Sequence, residues 1–352
     1  MMLSSVKMAV TTAVSVIALS VGAANAAETI TFMTFSGYYP PKIFEEFEAA
    51  TGIHVDLTEV ATNEEGMGKL MASNGTGFDA IIFSSPFVTA LQKLDMLSEI
   101  DHSKIPNMKN LYPEAEKLAF DPGLKYSVPY AWGTFGICYR DDMLKKKPVS
   151  WNDLLKPDDE MKGKFTLVPD ERWFLEPAQL VSGLSINDVS EQALEKIRPL
   201  LIEAKKNALA FDNFTMGSRL VSGEIVAAAT WEAWCTMAMR DGGGDNLKYV
   251  IPKEGTDTFV DGFVIPKKAE HKEAAEKFIN FILEADHHAW MTTQLLYKIP
   301  NKAAMDSVDP ELIKKYPPLQ MSAQDLLKNE ILSDLGPDAP RVSKFVTEIM
   351  SQ

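Results

Sequence analysis

From Thr29 onward the chain alternates short apolar runs with amphipathic ones, and this alternation restricts the fold more than any other feature. Residues 29–33 (Thr-Ile-Thr-Phe-Met) read as a strand. Tyr38-Tyr39-Pro40-Pro41 then interrupts it, and proline suits the first turn of a helix. Residues 42–50 place Ile43, Phe44 and Phe47 at helical spacing, and Gly52 ends that segment. Residues 53–57 alternate like a strand, residues 64–73 read as a helix, and Asn74-Gly75 closes it. Residues 78–83 (Phe-Asp-Ala-Ile-Ile-Phe) form a near-continuous apolar run, the signature of a strand buried on both faces. Ser84-Ser85-Pro86 opens the next helix, over residues 87–94. Strands separated by helices predict parallel βαβ units and an α/β class.

The same grammar continues. Residues 164–168, 225–230 and 247–251 read as strands, and residues 151–155 as a short helix. Residues 190–206 and 268–283 read as amphipathic helices, with a kink expected at Pro199. Helices are also expected near residues 322–329 and 339–350. Two long extended stretches, near residues 132–139 and 259–266, are placed to carry the chain from one α/β lobe to a second and back. The predicted division is residues 27–135 plus 259–302 for lobe 1, and residues 136–258 plus 303–352 for lobe 2. Ligands sit at the carboxyl ends of strands in open α/β sheets, so the cleft between two such lobes is the expected site.

The first 26 residues read as a secretory leader. Lys7 precedes an apolar run over residues 8–21, and Ala24-Asn25-Ala26 supplies small residues for cleavage near Ala26/Ala27. The run is too short for a membrane span, and the absence of a following Cys signals no lipid anchor. A free, exported protein of about 326 residues (352 − 26) is expected, long enough for two domains. The full chain's formal charge of −14 argues against nucleic acid and anionic membrane surfaces as partners. The two cysteines, Cys138 and Cys235, lie in apolar segments; they fit equally a disulfide in an oxidising compartment and a pair of small buried hydrophobes.

Residues just after the expected strands carry the chemistry. They are Phe35, Ser36, Tyr38 and Tyr39; Ser84 and Ser85; Asp170, Glu171 and Trp173; Trp231, Glu232 and Trp234; and Phe259, Asp261 and Tyr297. Aromatic faces attract cations, and carboxylates accept charge-assisted hydrogen bonds from ammonium groups. The set suits a small organic cation better than a sugar acid or a phosphate. Each aromatic is equally suited to core packing.

These positions carry a resemblance. The runs Phe35-Ser36-Gly37-Tyr38-Tyr39-Pro40-Pro41, residues 78–85, Ser127-Val128-Pro129-Tyr130-Ala131-Trp132-Gly133, Ser150-Trp151-Asn152-Asp153-Leu154, Asp261-Gly262-Phe263-Val264-Ile265-Pro266 and Tyr297-Lys298-Ile299-Pro300-Asn301 together resemble the periplasmic spermidine/putrescine-binding proteins of bacterial polyamine ABC transporters. The resemblance runs through essentially the whole mature chain. It implies a two-lobed, type II periplasmic binding protein fold that closes on a small cationic ligand, most naturally a polyamine. It implies a periplasmic monomer, an inner-membrane ABC permease with its ATPase as partners, and neither cofactor nor metal. Asp261 and Asp170 match amine-binding carboxylates, Trp231 an aromatic wall, and Tyr38, Ser84 and Tyr297 cleft contacts. Phe35 and Phe259 stand where the family has tryptophan, Pro86 where it has tyrosine, Trp173 where it has glutamate and Leu332 where it has glutamine. One carboxylate is exchanged for an aromatic, which widens the ligand class to a smaller diamine, a monoamine or a quaternary ammonium compound. Glu232 either restores a carboxylate or points to solvent.

Other readings use the same residues. Asp170, Glu176 and Asp261 offer carboxylate pairs of the kind glycosidases use, although no G-x-S-x-G, H-E-x-x-H or P-loop motif accompanies them. Tyr38-Tyr39 is a tyrosine pair of the type ferric-ion carriers use. His287-His288 reads as solvated surface, because adjacent helical residues point about 100° apart. A ligand-sensing role without a transporter uses the same cleft.

Overall fold

The computed structural model describes residues 28–352, so the expected leader lies outside the described residues. Nine strands are present: β1 (Thr29–Phe35), β2 (His54–Val60), β3 (Ala80–Ser84), β4 (Ser127–Arg140), β5 (Phe165–Leu167), β6 (Ala210–Phe211), β7 (Ala227–Trp231), β8 (Leu247–Val250) and β9 (Thr258–Val264). They hydrogen-bond in the order β2-β1-β3-β9-β4-β7-β5-β6, with β8 also on β4.

The expected parallel units form the two ends. Strand β1 pairs parallel with β2 and β3, and β5 pairs parallel with β6 and β7. The middle is antiparallel: β9 runs against β3 and β4, and β4 against β7 and β8. The middle differs from the parallel ends because β4 and β9 are the crossings between the two halves. No helix brings either strand back beside its neighbour, so the sheet is mixed. Residues 127–134 of β4 pair with β9, whereas residues 135–140 pair with β7 and β8. The register is set early. Buried Asp121 accepts the backbone N–H and Oγ of Ser127, each at 2.7 Å, and the N–H of Tyr126 at 3.0 Å.

Separate cores lie on the two sides of this passage. One gathers Ile30 and Phe32 of β1, Ile43 and Phe47 of the helix Ile43–Thr51, Phe263 of β9 and Phe278 of the helix Lys272–Ile282. Phe278 packs edge-on against Phe32 at 5.1 Å and Phe47 at 5.2 Å. The other gathers Phe135, Trp151, Phe165 and Ile197. The helix Glu191–Asn207 runs unbroken through Pro199. The residues expected to end the second lobe are shared out: Ala304, Val308, Ala323 and Leu326 pack in the first core, and Val342, Phe345, Val346 and Ile349 in the second. The helix Lys302–Ser307 buries Ala304 in the first core, which also holds Met291 and Ile299.

Cys138 and Cys235 form a disulfide that ties β4 to the helix Glu232–Ala238. His288 is buried, against the surface reading. Its Nε2 lies 2.7 Å from the Tyr130 carbonyl, and its ring stacks on Tyr130 at 5.0 Å. Burial pushes its pKa down to about 4, so the ring is neutral.

Candidate functional site

Asp261 is the centre of the site, and β-sheet register puts it there. It lies opposite Ser84, the last residue of β3, across the antiparallel β3–β9 pair. The Ser84 hydroxyl donates to Asp261 Oδ1 at 2.6 Å, and the Tyr38 hydroxyl donates to Oδ2 at 2.9 Å. Asn63, at the start of the helix Asn63–Ala72, fixes Ser84 in turn: its Nδ2 donates to Ser84 Oγ and its Oδ1 accepts the Ser84 N–H, both at 3.0 Å. Asp261 is 8% exposed, and burial raises its pKa while the two hydroxyls oppose the rise. Among the described residues no ion pair joins this carboxylate.

Aromatic side chains surround it. Tyr38 meets Phe35 edge-on at 5.7 Å, Tyr130 at 5.5 Å and Tyr297 at 5.2 Å. Phe259 meets Tyr297 at 6.5 Å. The Trp234 indole N–H donates to the Tyr297 hydroxyl at 3.2 Å, which ties the helix Glu232–Ala238 to this group. Burial and the nearby Asp261 raise the Tyr38 and Tyr297 pKa values, so both phenols stay protonated.

A second group comes from the other half. Trp173, in the first turn of the helix Glu171–Val181, packs edge-on against Trp231 at 5.1 Å, and Trp231 leans on Phe135 at 5.6 Å. The Trp173 indole N–H donates to buried Asp257 at 3.0 Å, and Glu176 accepts the Asp257 N–H at 2.9 Å. Burial raises the pKa of both acids. Asp170 precedes the same helix and accepts an amide hydrogen from Asn213 at 2.5 Å. Burial raises its pKa, and Asn213 pulls it back.

Glu232 does not point to solvent. It is 1% exposed, and its Oε2 accepts the Thr134 hydroxyl at 2.7 Å. Its burial has a specific cause: Thr134 sits where β4 passes between the halves, and the helix bearing Glu232 starts at the end of β7 beside it. Burial raises its pKa to about 7, while Lys298 opposes the rise.

Several expected positions stand outside these groups. Ser36 is exposed and turns toward Glu59, and Ser85 is a buried first residue of the helix Ser85–Lys93. The tyrosine pair diverges: Tyr38 bonds Asp261, whereas Tyr39 bonds Glu59 at 2.9 Å, so the two hydroxyls do not converge on one metal. Among the described residues no cluster of three or more His, Cys, Asp or Glu is arranged to hold a metal ion. Glu176 accepts the Asp257 N–H and is fully buried. Leu332 is buried. Sequence reasoning missed Asn63, Thr134, Asn213, Asp257 and Lys298. Asn63 and Asn213 look like ordinary loop or cap residues, and only the register of distant strands gives them partners. Asp257 carried a usable signal: a carboxylate two residues before the expected aromatic Phe259, immediately ahead of a crossing strand.

Comparisons with known proteins agree with this architecture. The bacterial extracellular solute-binding protein family matches residues 42–320. The spermidine/putrescine-binding periplasmic protein of Salmonella typhimurium is 32% identical over 327 residues, 92% of either chain. The putrescine-binding periplasmic protein PotF of Escherichia coli is 33% identical over 334 residues, covering 88% of this chain and 89% of its own. The spermidine/putrescine ABC transporter substrate-binding protein PotD of Streptococcus pneumoniae superposes with a TM-score of 0.79 at 26% identity, covering 92% of this chain and 99% of its own. With family model, relatives and fold in agreement over most of its length, the chain belongs to the bacterial extracellular solute-binding proteins.

Proposed function

We propose that this protein is the periplasmic receptor of an ABC importer and captures a small organic cation of the polyamine class. One observation carries the reading: a buried carboxylate, Asp261, receives two hydroxyl donors, has no cationic partner among the described residues, and stands among aromatic rings. A buried carboxylate of this kind is completed by an ammonium group. The relatives that bind spermidine and putrescine support the same ligand class.

Asp261, Tyr38 and Ser84 hold one ammonium group. Phe35, Phe259, Tyr297, Trp173 and Trp231 cover the methylenes, since aromatic faces accept both apolar chain and cation. Asp170 and Glu232 supply negative charge from the second half. The two halves are lobes that close by a hinge at the crossings of β4 and β9, with ligand bridging them. The closed monomer docks on an inner-membrane permease whose ATPase supplies the energy. The leader over residues 1–26 directs export and is cleaved near Ala27.

Thermal-shift and calorimetric titration against putrescine, spermidine, agmatine, choline and betaine test the reading. Putrescine or spermidine raises the melting temperature, because a ligand bound to the folded state alone stabilises it. A response to sugars or anions with none to any amine refutes it.

A further inference from the structure

Glu176, Glu232 and Asp257 each keep a buried carboxylate oxygen without a hydrogen-bond partner; Glu176 and Asp257 form one group, joined through the Asp257 N–H, whereas Glu232 stands against β4 at Thr134. Its Oε2 is satisfied by Thr134, whereas Oε1 is buried and has no hydrogen-bond partner. A buried unpaired carboxylate oxygen costs several kcal/mol unless something completes it. The protein's own cation does not: Lys298 is 5% exposed, but its Nζ donates to the Leu319 carbonyl at 2.8 Å, and no ion pair within 4 Å joins it to Glu232 among the described residues.

The surroundings of Oε1 are those of the cleft. Gly133, on β4, lies beneath it. A Cβ at Gly133 would stand 2.9 Å from Glu232 Oε1 and 2.7 Å from Phe259 Cε1, so only glycine leaves both groups their place. The carboxylate oxygen and the Phe259 ring therefore share one small space, and Phe259 in turn meets Tyr297. The Tyr297 hydroxyl feels the charge of Asp261 and of Glu232, so both carboxylates act on the same ring. Asp170 is the competing acid, but one of its oxygens is occupied by Asn213.

We propose that Glu232 is the second ammonium-binding carboxylate of the cleft, taking the amine opposite the one held by Asp261, with Phe259 against the intervening methylenes. The proposal rests on the cation reading above and deepens it. The ligand is then a compound with two primary ammonium groups, and Glu232 discriminates it from a monoamine. Asp170 has a lesser part in holding the far amine.

Calorimetric titration at pH 8 with 1,4-diaminobutane and 1-aminobutane tests this on the wild-type chain and on Glu232→Gln, Asp170→Asn and Asp261→Asn. Glutamine keeps an acceptor for Thr134 and removes only the charge, and an unchanged melting temperature verifies the fold. Loss of one charged hydrogen-bonded partner predicts a diamine Kd about ten- to a hundredfold weaker in Glu232→Gln. Monoamine binding stays within about threefold of wild type, because that ligand has no second amine to lose. Asp261→Asn weakens both ligands, and Asp170→Asn weakens the diamine less than Glu232→Gln does. A diamine Kd unmoved by Glu232→Gln, or an equal loss for both amines, overturns the assignment while leaving the cation reading intact. A wild-type chain that binds neither amine overturns the cation reading itself.

Discussion

Replacing Asp261 by asparagine separates ligand recognition from fold stability, because the two respond in opposite directions. The carboxylate is buried, its pKa is raised by that burial, and the described residues offer it two neutral hydroxyls and no cation. An acid whose folded-state pKa lies above its unfolded value holds more protons when folded, so its contribution to stability declines as pH rises. At neutral pH the ionised Asp261 is therefore a burden on the empty protein, and the neutral amide relieves it. Asparagine still accepts one hydroxyl, and the other can turn to accept from its amide. The empty variant should melt at the wild-type temperature or above.

The bound state loses a charge-assisted hydrogen bond to an ammonium group, roughly 2–3 kcal/mol, which weakens Kd about 30- to 150-fold. At a ligand concentration a thousandfold above the wild-type Kd, ligand stabilises the native state by about 4.1 kcal/mol; after a hundredfold weakening the same concentration gives about 1.4 kcal/mol. A chain of about 325 folded residues has an unfolding entropy that converts these figures to melting shifts of about 6 °C and about 2 °C. Differential scanning fluorimetry with and without putrescine reads both quantities on one sample. A variant that keeps the full ligand-induced shift refutes the role of Asp261, and one that melts far below wild type when empty refutes the view that burial makes it a burden.

Three further outcomes are expected. Reducing the Cys138–Cys235 disulfide, or replacing both cysteines by serine, frees a loop of 97 residues and should cost about 4–5 kcal/mol, seen as a lower melting temperature under reductant; an unchanged value contradicts a formed bond. Trp173→Phe keeps an aromatic wall but leaves Asp257 without its indole donor, so stability should fall by roughly 1–3 kcal/mol and putrescine affinity with it; an unaltered melting curve removes Asp257 as the support of that wall. His288 has a folded pKa of about 4, below its ordinary value, so the unfolded chain takes up the extra proton and stability declines as pH falls from about 6.5 toward 4. His288→Phe should flatten the pH dependence of unfolding free energy by about one proton in that window, and an unchanged slope places the titration elsewhere.

Much of the architecture was legible in the residues themselves. The near-continuous apolar run at residues 80–83 forms the buried β3, and the long extended stretch through Pro129 and Trp132 forms β4. Asp261 and Tyr38 stood out as carboxylate and aromatic at strand ends, because strand alternation and turn chemistry are local properties that a single chain displays. The shared allocation of residues 303–352 was not legible, since their apolar positions fit either core equally well. Cys138 and Cys235 read equally well as small hydrophobes, and 97 residues separate them; only the packing of the helix Glu232–Ala238 on β4 brings them into bonding contact. His288 looked like a surface residue, and Glu232 read equally as cleft carboxylate or solvated side chain, for the same reason. Burial is set by elements far away in sequence: Thr134 and the β4 crossing for Glu232, Tyr130 for His288. The α/β class, and the acids and aromatics clustered around its strand runs, could be read from the residues alone, because those features follow from local pattern. Tertiary structure alone decided which acid is paired, which is buried and which is left with an open oxygen, because each of those depends on contacts between residues that the chain order does not bring together.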